Sequence, residues 1–340
     1  MTKLISVNEC DVQDAHSNLD QIELYSTKRA KLDNERDPKT GKLTRPWHFE
    51  VVPGFFKQDD EETDDATFDF IDEHFGLKLE SWKDVIEKVK ELNANAKKNE
   101  EYKLIFFARH GQGFHNMGVE LVGLKDWDNY WSKKCGMTLE DGTKFTWGPD
   151  PKLSPLGRKQ VSAVHEAVEA EIKRGMPLPT KFFSSPFTRS ASTLVITWKD
   201  LLICKDGDKE AESKLLGERM HPLVKEDLRE TIGLHMCDKR AKKSDFLKVF
   251  KQWGFTVEDG FPEEDIYHKD EWREPLSEQS LRADNFLQFL YENYPNDSTV
   301  YTASHAGEIR AFITALGHRQ FTIPTAGLIP IVVKGTRAED

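Results

Sequence analysis

Past Lys103 the chain alternates between unbroken apolar runs and segments whose apolar residues recur every three or four positions. Leu104–Ala108 is a continuous apolar run of strand length, which predicts a strand buried on both faces. Lys181–Ser185, Ser298–Ala303 and Ile329–Val333 predict three more strands. Between them, Ser154-Pro155 opens a helix with Val161, Val164, Val168 and Ile172 on one face and Gly175 and Pro177 past its end. Further helices are predicted from Pro186 through Leu194, Trp198 and Leu201, from a cap at Ser277 or Ser280, and from Ala306 to Leu316, where Gly317 stops it. Strands alternating with amphipathic helices predict an α/β three-layer sandwich, a mostly parallel central sheet flanked by helices.

Two segments break this rhythm. Residues 118–150 and 232–274 are rich in Trp and charge, and are expected to be insertions forming a lid over the strand ends. Upstream, residues 1–45 are polar and close on the turn-like Asp37-Pro38-Lys39-Thr40-Gly41, which predicts a flexible N-terminal arm. Residues 46–100 carry aromatic anchors (Trp47, Phe49, Phe55, Phe68, Phe70 and Phe75) and a helix capped by Ser81. They are read as an extension packed on a main domain of residues 101–336.

Composition narrows the function. At 340 residues and 38% hydrophobic, the chain has material for a large core. A net charge of −11 argues against a nucleic-acid or anionic-membrane surface, and no apolar run approaches a membrane span. No signal-peptide pattern opens the chain, so it reads as soluble and cytoplasmic, with the nucleus a second location. Cys10, Cys135, Cys204 and Cys237 lie far apart, which predicts reduced, buried thiols and neither a disulfide framework nor a zinc knuckle. His165-Glu166 lacks the second His of a zinc-protease helix motif.

In a parallel sheet, ligands sit outside the carboxyl ends of the strands. Three predicted strand ends deliver Arg109-His110, then Ser184 to Arg189, then Ser304-His305. Guanidinium groups hold phosphoryl oxygens through planar, charge-assisted hydrogen bonds, and a neutral imidazole can attack phosphorus in line. The helix after Pro186 would aim its N-terminal dipole at the same charge.

Five motifs in order make the resemblance specific: Arg109-His110-Gly111 with Asn116 six positions beyond the His, Leu153 to Gln160, Ser184-Ser185-Pro186-Phe187-Thr188-Arg189, Leu228-Arg229-Glu230, and Ser304-His305-Ala306-Gly307-Glu308-Ile309-Arg310. Together they resemble the histidine phosphatase superfamily, also called phosphoglycerate-mutase-like, over roughly residues 103–333. Trp47 to Phe56 is in addition similar to fungal proteins of that group. The resemblance implies that His110 accepts the phosphoryl group, that Arg109, Arg189 and His305 bind its oxygens, and that Glu230 is the general acid. Asn116 matches a polar residue at the pocket edge. Glu226, Asp227 and Glu308 are alternative carboxylates for the acid role. His115 either lines the pocket or packs beneath the loop. No metal or cofactor is implied, and the partner is a small phosphorylated substrate; the pattern does not speak to oligomeric state.

The superfamily contains both hydrolases and mutases. Mutases carry an Arg/Tyr-rich stretch after the acid, and usually Ser where this chain has Gly113; Thr231 to Arg240 does not follow that pattern. Metal-independent hydrolysis of a phosphomonoester through a phosphohistidine is therefore expected. Phosphoglycerate-mutase-type transfer is the alternative, and a catalytically idle regulatory protein on the same fold is the alternative from another class. Lys239, Arg240, Lys242 and Lys243 either meet an anionic substrate or form a solvated helix face.

Overall fold

The computed structural model describes residues 3–338. In chain order it comprises helices α1 (Glu9–His16) and α2 (Asp20–Leu32), strand β1 (Trp47–Val51), α3 (Trp82–Ala94), β2 (Glu100–Arg109), α4 (Phe114–Val122) and α5 (Leu124–Asn129). A small hairpin of β3 (Gly136–Thr138) and β4 (Lys144–Thr146) precedes α6 (Pro155–Lys173), β5 (Lys181–Ser184), α7 (Thr188–Trp198) and α8 (Lys209–Ser213). The chain closes through β6 (Leu223–Val224), α9 (Lys243–Phe250), β7 (Thr256–Val257), α10 (Leu276–Asn293), β8 (Thr299–Ser304), α11 (Ala306–Leu316) and β9 (Leu328–Arg337).

The main sheet has seven strands in the order β1-β9-β2-β8-β5-β6-β7. β2, β8, β5, β6 and β7 run parallel to one another, while β9 is antiparallel to both β2 and β1. β2 is covered on both faces, as its apolar run requires. Leu104, Phe106 and Ala108 join one core cluster, with Val161, Val164, Val168 and Trp198, while Ile105 and Phe107 join the other, with Phe286, Leu290 and Phe312. The predicted strands and helices all appear, and Ser154 accepts from the Gly157 amide at the start of α6 as its cap. However, α10 begins after Pro275 with Ser277 and Ser280 inside it, and α7 stops at Trp198, short of Leu201.

Three features depart from the sequence expectations. Instead of an unpacked arm, residues 3–45 contain α1 and α2 docked on the body. Ile5, Ala15 and Tyr25 are buried, and Arg29 donates from Nε to Asp284 and from Nη2 to the Trp47 carbonyl. A few buried side chains and ion pairs hold this segment, so its polar composition concealed it. Second, the 232–274 segment is more than a lid, since its β7 pairs with β6 and extends the sheet edge. Third, the thiols are free but not all buried: Cys204 and Cys237 are, whereas Cys135 is exposed and Cys10 half-buried. Among the described residues no helix is long and apolar enough to cross a membrane.

Candidate active site

The carboxyl ends of β2 and β8 and the turn after β6 open on a cavity of ≈ 980 Å³. Arg109, His110, Asn116 and Glu230 line it, as does His115. Arg189 and His305 lie one layer below that lining, both fully buried.

His110 follows β2 directly. Its Nδ1 sits 2.7 Å from the Gly111 carbonyl, which can only accept, so Nδ1 carries the proton and Nε2 the lone pair. Arg189 Nε donates to Nε2 from 3.2 Å, consistent with the same tautomer. Burial first, then the positive charges of Arg189 and Arg109, hold the imidazole well below the usual histidine range. The result is a neutral ring whose lone pair persists into acidic solution.

Arg189 is fixed on three sides. Beyond His110, its Nη1 donates to the Cys237 carbonyl and its Nη2 to Asp238 at 3.0 Å. Asp238 also accepts from Arg273 at 2.8 Å. The N-terminus of α7, where Arg189 sits, already holds an anion: Asp150 accepts from the Thr188 amide and hydroxyl. The dipole expected to face the ligand is thus partly answered by the protein.

His305 follows β8, and its ring centre is 5.1 Å from that of His110. Ser185 Oγ lies 2.7 Å from Nε2, while Ser190, which also approaches Nε2, has the Ser304 carbonyl as acceptor. With the Ser185 hydroxyl donating to Nε2, the proton resides on Nδ1. That nitrogen is buried without a hydrogen-bond partner, 4.0 Å from Glu230 Oε2. Arg109 Nε is likewise buried and unpartnered.

Glu230 comes from the turn after β6, a two-residue strand too short to register in the sequence pattern. Its Oε1 accepts from the Thr231 amide at 2.8 Å. The competing carboxylates are engaged elsewhere. Glu308 is fully buried against Arg282 and Gln279, Glu226 is held by Arg229 and Arg240, and neither these nor Asp227 lines the cavity. Asn116 Oδ1 caps α4 by accepting from the Gly113 amide, with the rest of its side chain at the cavity. The question left open for His115 is answered by position: it lines the cavity, its ring centre 5.3 Å from that of His110. A Cβ at Gly113 would lie 2.6 Å from His115 Nδ1, so glycine and histidine occupy this corner together.

Both insertions reach the cavity, the first through Val119, Trp127 and Asp128, the second through His235, Asp238, Arg273 and Glu274. Lys239, Arg240, Lys242 and Lys243 do not line it; Arg240 is buried on Glu226 and Lys242 pairs with Glu264. Asp238 and Arg273, which brace Arg189, were not expected from the sequence, nor were Asn8, the cap of α1, and the α1 residues Asp11 and Asp14, which line the same cavity. No motif marked any of them.

His235, Cys237 and Asp238 have the spacing of a metal cluster. Their chemistry does not fit one: Asp238 is neutralised by two arginines, and burial pushes the Cys237 thiol well above its usual range, away from the thiolate a metal needs.

No protein-family model matches the chain. It is similar to curated fungal proteins: 32% identical over 301 residues to the "Probable phosphoglycerate mutase" of Arthroderma benhamiae, covering 84% of each chain. It is also 31% identical over 261 residues to "Phosphomutase-like protein 3" of Candida albicans, covering 76% of this chain and 72% of that one. Among solved structures, phosphoglycerate mutase from Bacillus anthracis aligns at 16% identity and a TM-score of 0.40, over 69% of this chain and 89% of the other.

Proposed function

Because the chain belongs to the phosphoglycerate-mutase-like proteins of the histidine phosphatase superfamily, we propose that it hydrolyses a small phosphomonoester through a phosphohistidine on His110. The observation that carries this reading is a neutral His110 lone pair flanked by buried N–H donors, two of which, Arg109 Nε and His305 Nδ1, have no partner. An unpaired buried donor costs ~1–3 kcal/mol, a cost that bonds to phosphoryl oxygens would offset.

His110 Nε2 attacks phosphorus as the ester P–O bond opposite it breaks. As the lone pair becomes the N–P bond, Arg189 Nε turns from His110 to a phosphoryl oxygen. Arg109 and His305 hold the others, and the guanidinium charges stabilise the transition state. An alkoxide leaves poorly, so Glu230, at the cavity wall, delivers a proton to the leaving oxygen. In the second step Glu230 takes a proton from water as its oxygen attacks phosphorus, the N–P bond breaks, and neutral His110 and inorganic phosphate are regenerated.

The cavity favours water over a second phosphorylated acid as acceptor. Besides Glu230 its lining carries seven carboxylates. Asp11, Asp238 and Glu274 are paired with arginines, whereas Glu9, Asp14, Glu120 and Asp128 form no ion pair with a lining cation among the described residues. Of its other cations, Arg310 has both terminal nitrogens on the Asp14 and Ser17 carbonyls, and Arg273 Nη1 is committed to Asp238 and two carbonyls. A Ser at position 113, usual in mutases, would meet His115. These features support a substrate with one phosphoryl group and a neutral or cationic remainder.

The test is turnover of p-nitrophenyl phosphate in EDTA by the wild type and by His110→Ala, with acid-labile radiolabel trapped on the protein. Activity that survives chelation and vanishes with His110 is expected; chelator-sensitive turnover would overturn the mechanism. Incubation with 2,3-bisphosphoglycerate and 3-phosphoglycerate separates the alternative, since accumulating 2-phosphoglycerate would mark a mutase.

A further inference from the structure

Two residues inside the sequence motifs, Gln160 and Arg310, have no place in the phosphoryl cradle, and both hold the N-terminal segment. Gln160 Oε1 accepts from the Gln112 amide, just past His110, while its Nε2 donates to the Leu4 carbonyl at 3.0 Å. Arg310, one turn beyond His305, donates to the Asp14 and Ser17 carbonyls at the C-terminal end of α1. Between these clamps Asp11 Oδ1 accepts from Arg109 Nη1 at 2.6 Å, with side-chain exposures of 5% and 7%. The carboxylate is itself held, because its Oδ2 accepts from the Asn8 amide in the capping box that starts α1.

Arg109 Nη1 thus has two acceptors on its protein side, Asp11 and the Ile323 carbonyl, each at 2.6 Å. Its Nε is left buried and unpartnered. A guanidinium is planar and rigid, so fixing one terminal nitrogen by two charge-assisted or carbonyl bonds fixes the direction of the remaining N–H groups.

We propose that Asp11 is a positioning residue for Arg109, and that α1 is an integral wall of the active site. Asp11 acts through Arg109 and does not touch substrate. The inference rests on the reading of Arg109 as a phosphoryl-binding residue. It is also distinct from a plug: Asp11 bonds Nη1, which also carries the Ile323 carbonyl, and leaves Nε unpartnered.

The experiment compares full-length Asp11→Asn, Asp11→Ala, Arg109→Ala and the double variant Asp11→Ala/Arg109→Ala. Readouts are kcat and KM for p-nitrophenyl phosphate and, independently, the Kd for inorganic phosphate by calorimetry. Misplacement of a binding group by about an ångström costs up to ~10²-fold, so Asp11→Ala is expected to lose ~10–10²-fold in kcat/KM and to weaken phosphate. Asp11→Asn, which keeps an oxygen for Arg109 Nη1 but replaces the acceptor of the Asn8 amide with a donor, is expected to lose less than Asp11→Ala. In the Arg109→Ala background, Asp11→Ala is expected to add nothing. Unchanged kcat/KM and phosphate affinity in both Asp11 variants would overturn the proposal, and so would additive losses in the double variant. Increased activity on removing Asp11 would also overturn it, by making the carboxylate a competitor of phosphate. Were the wild type to bind phosphate but turn over no ester, the activity reading would fail while the Kd series still decided the role of Asp11. Failure of the wild type to bind phosphate would overturn both.

Discussion

Glu230 keeps its place because residue 307 has no side chain: a Cβ there would stand 2.3 Å from Glu230 Oε1. Gly307→Ala is therefore expected to displace the carboxylate, although alanine favours the α11 helix by ~1 kcal/mol. The loss should depend on the leaving group. General acid catalysis contributes ~10²–10⁴-fold for an alkoxide but far less for nitrophenolate, which departs unprotonated. Paired kcat/KM measurements on an alkyl phosphate and on p-nitrophenyl phosphate, which report only the steps through phosphoryl transfer to His110, check this, with Glu230→Gln as reference; an equal loss on both substrates would remove Glu230 from the acid role. At this scale Arg109, His110, Arg189 and His305 were legible because they follow predicted strands, whereas Glu230 was legible only through the motif resemblance. Gly307 and Asp11 were not, since what matters at each is a neighbour distant in sequence.

At the level of elements, the second insertion is riveted to the end of β6 by a buried ionic cluster. Arg229 donates to Asp265 through both terminal nitrogens, at 2.9 and 2.7 Å, and to Glu226 at 3.2 Å, while Arg240 takes the other Glu226 oxygen at 2.7 Å. Burial alone would push Asp265 up, but the hydrogen bonds and charge of Arg229 outweigh it and hold the carboxyl at about 2. Arg229→Ala leaves buried Asp265 without its cation and Glu226 with Arg240 alone, and is expected to cost ~3–5 kcal/mol, read as a lower denaturant midpoint. Activity of the folded fraction should fall too, since Glu230 is the next residue. A change below ~1 kcal/mol would show the cluster to be solvated. The two insertions also meet through Trp127, Trp147 and Cys237, a small core of their own. Long periodic elements such as α6 and β2 were legible from their apolar spacing. β6 and β7, with two residues each, were not, because their pairing is decided by neighbouring strands and not by local pattern.

For the molecule as a whole, the site concentrates imidazoles that burial keeps neutral. His110, His115 and His305 are held well below the usual histidine range by burial and then by Arg189, and His235 by burial and then Arg273 to about 4. In the unfolded chain these rings take up protons near pH 6.5, whereas the folded protein resists them to much lower pH. Stability is therefore present above about pH 6.5 and lost as pH falls, by up to ~1.4 kcal/mol per histidine per pH unit. Carboxyls raised by burial, Glu308 most strongly and also Asp14, Glu101, Asp128, Asp150, Glu226 and Asp227, act in the opposite sense. Thermal unfolding from pH 7.5 to 5 should show a falling Tm, and His115→Phe should flatten the slope; a flat wild-type profile would contradict the neutral cluster. What the sequence determined by itself was the alternation of buried strands and amphipathic helices, because it is written in local spacing, and the set of motif residues proposed for the phosphoryl site. What only the tertiary structure decided was which carboxylate faces the cavity, that a polar N-terminal helix forms one of its walls, and how Arg109 and Arg189 are aimed. Those outcomes depend on contacts between residues 98, 48 and 49 positions apart, such as Asp11 with Arg109 and Arg189 with Cys237 and Asp238, which no local pattern encodes.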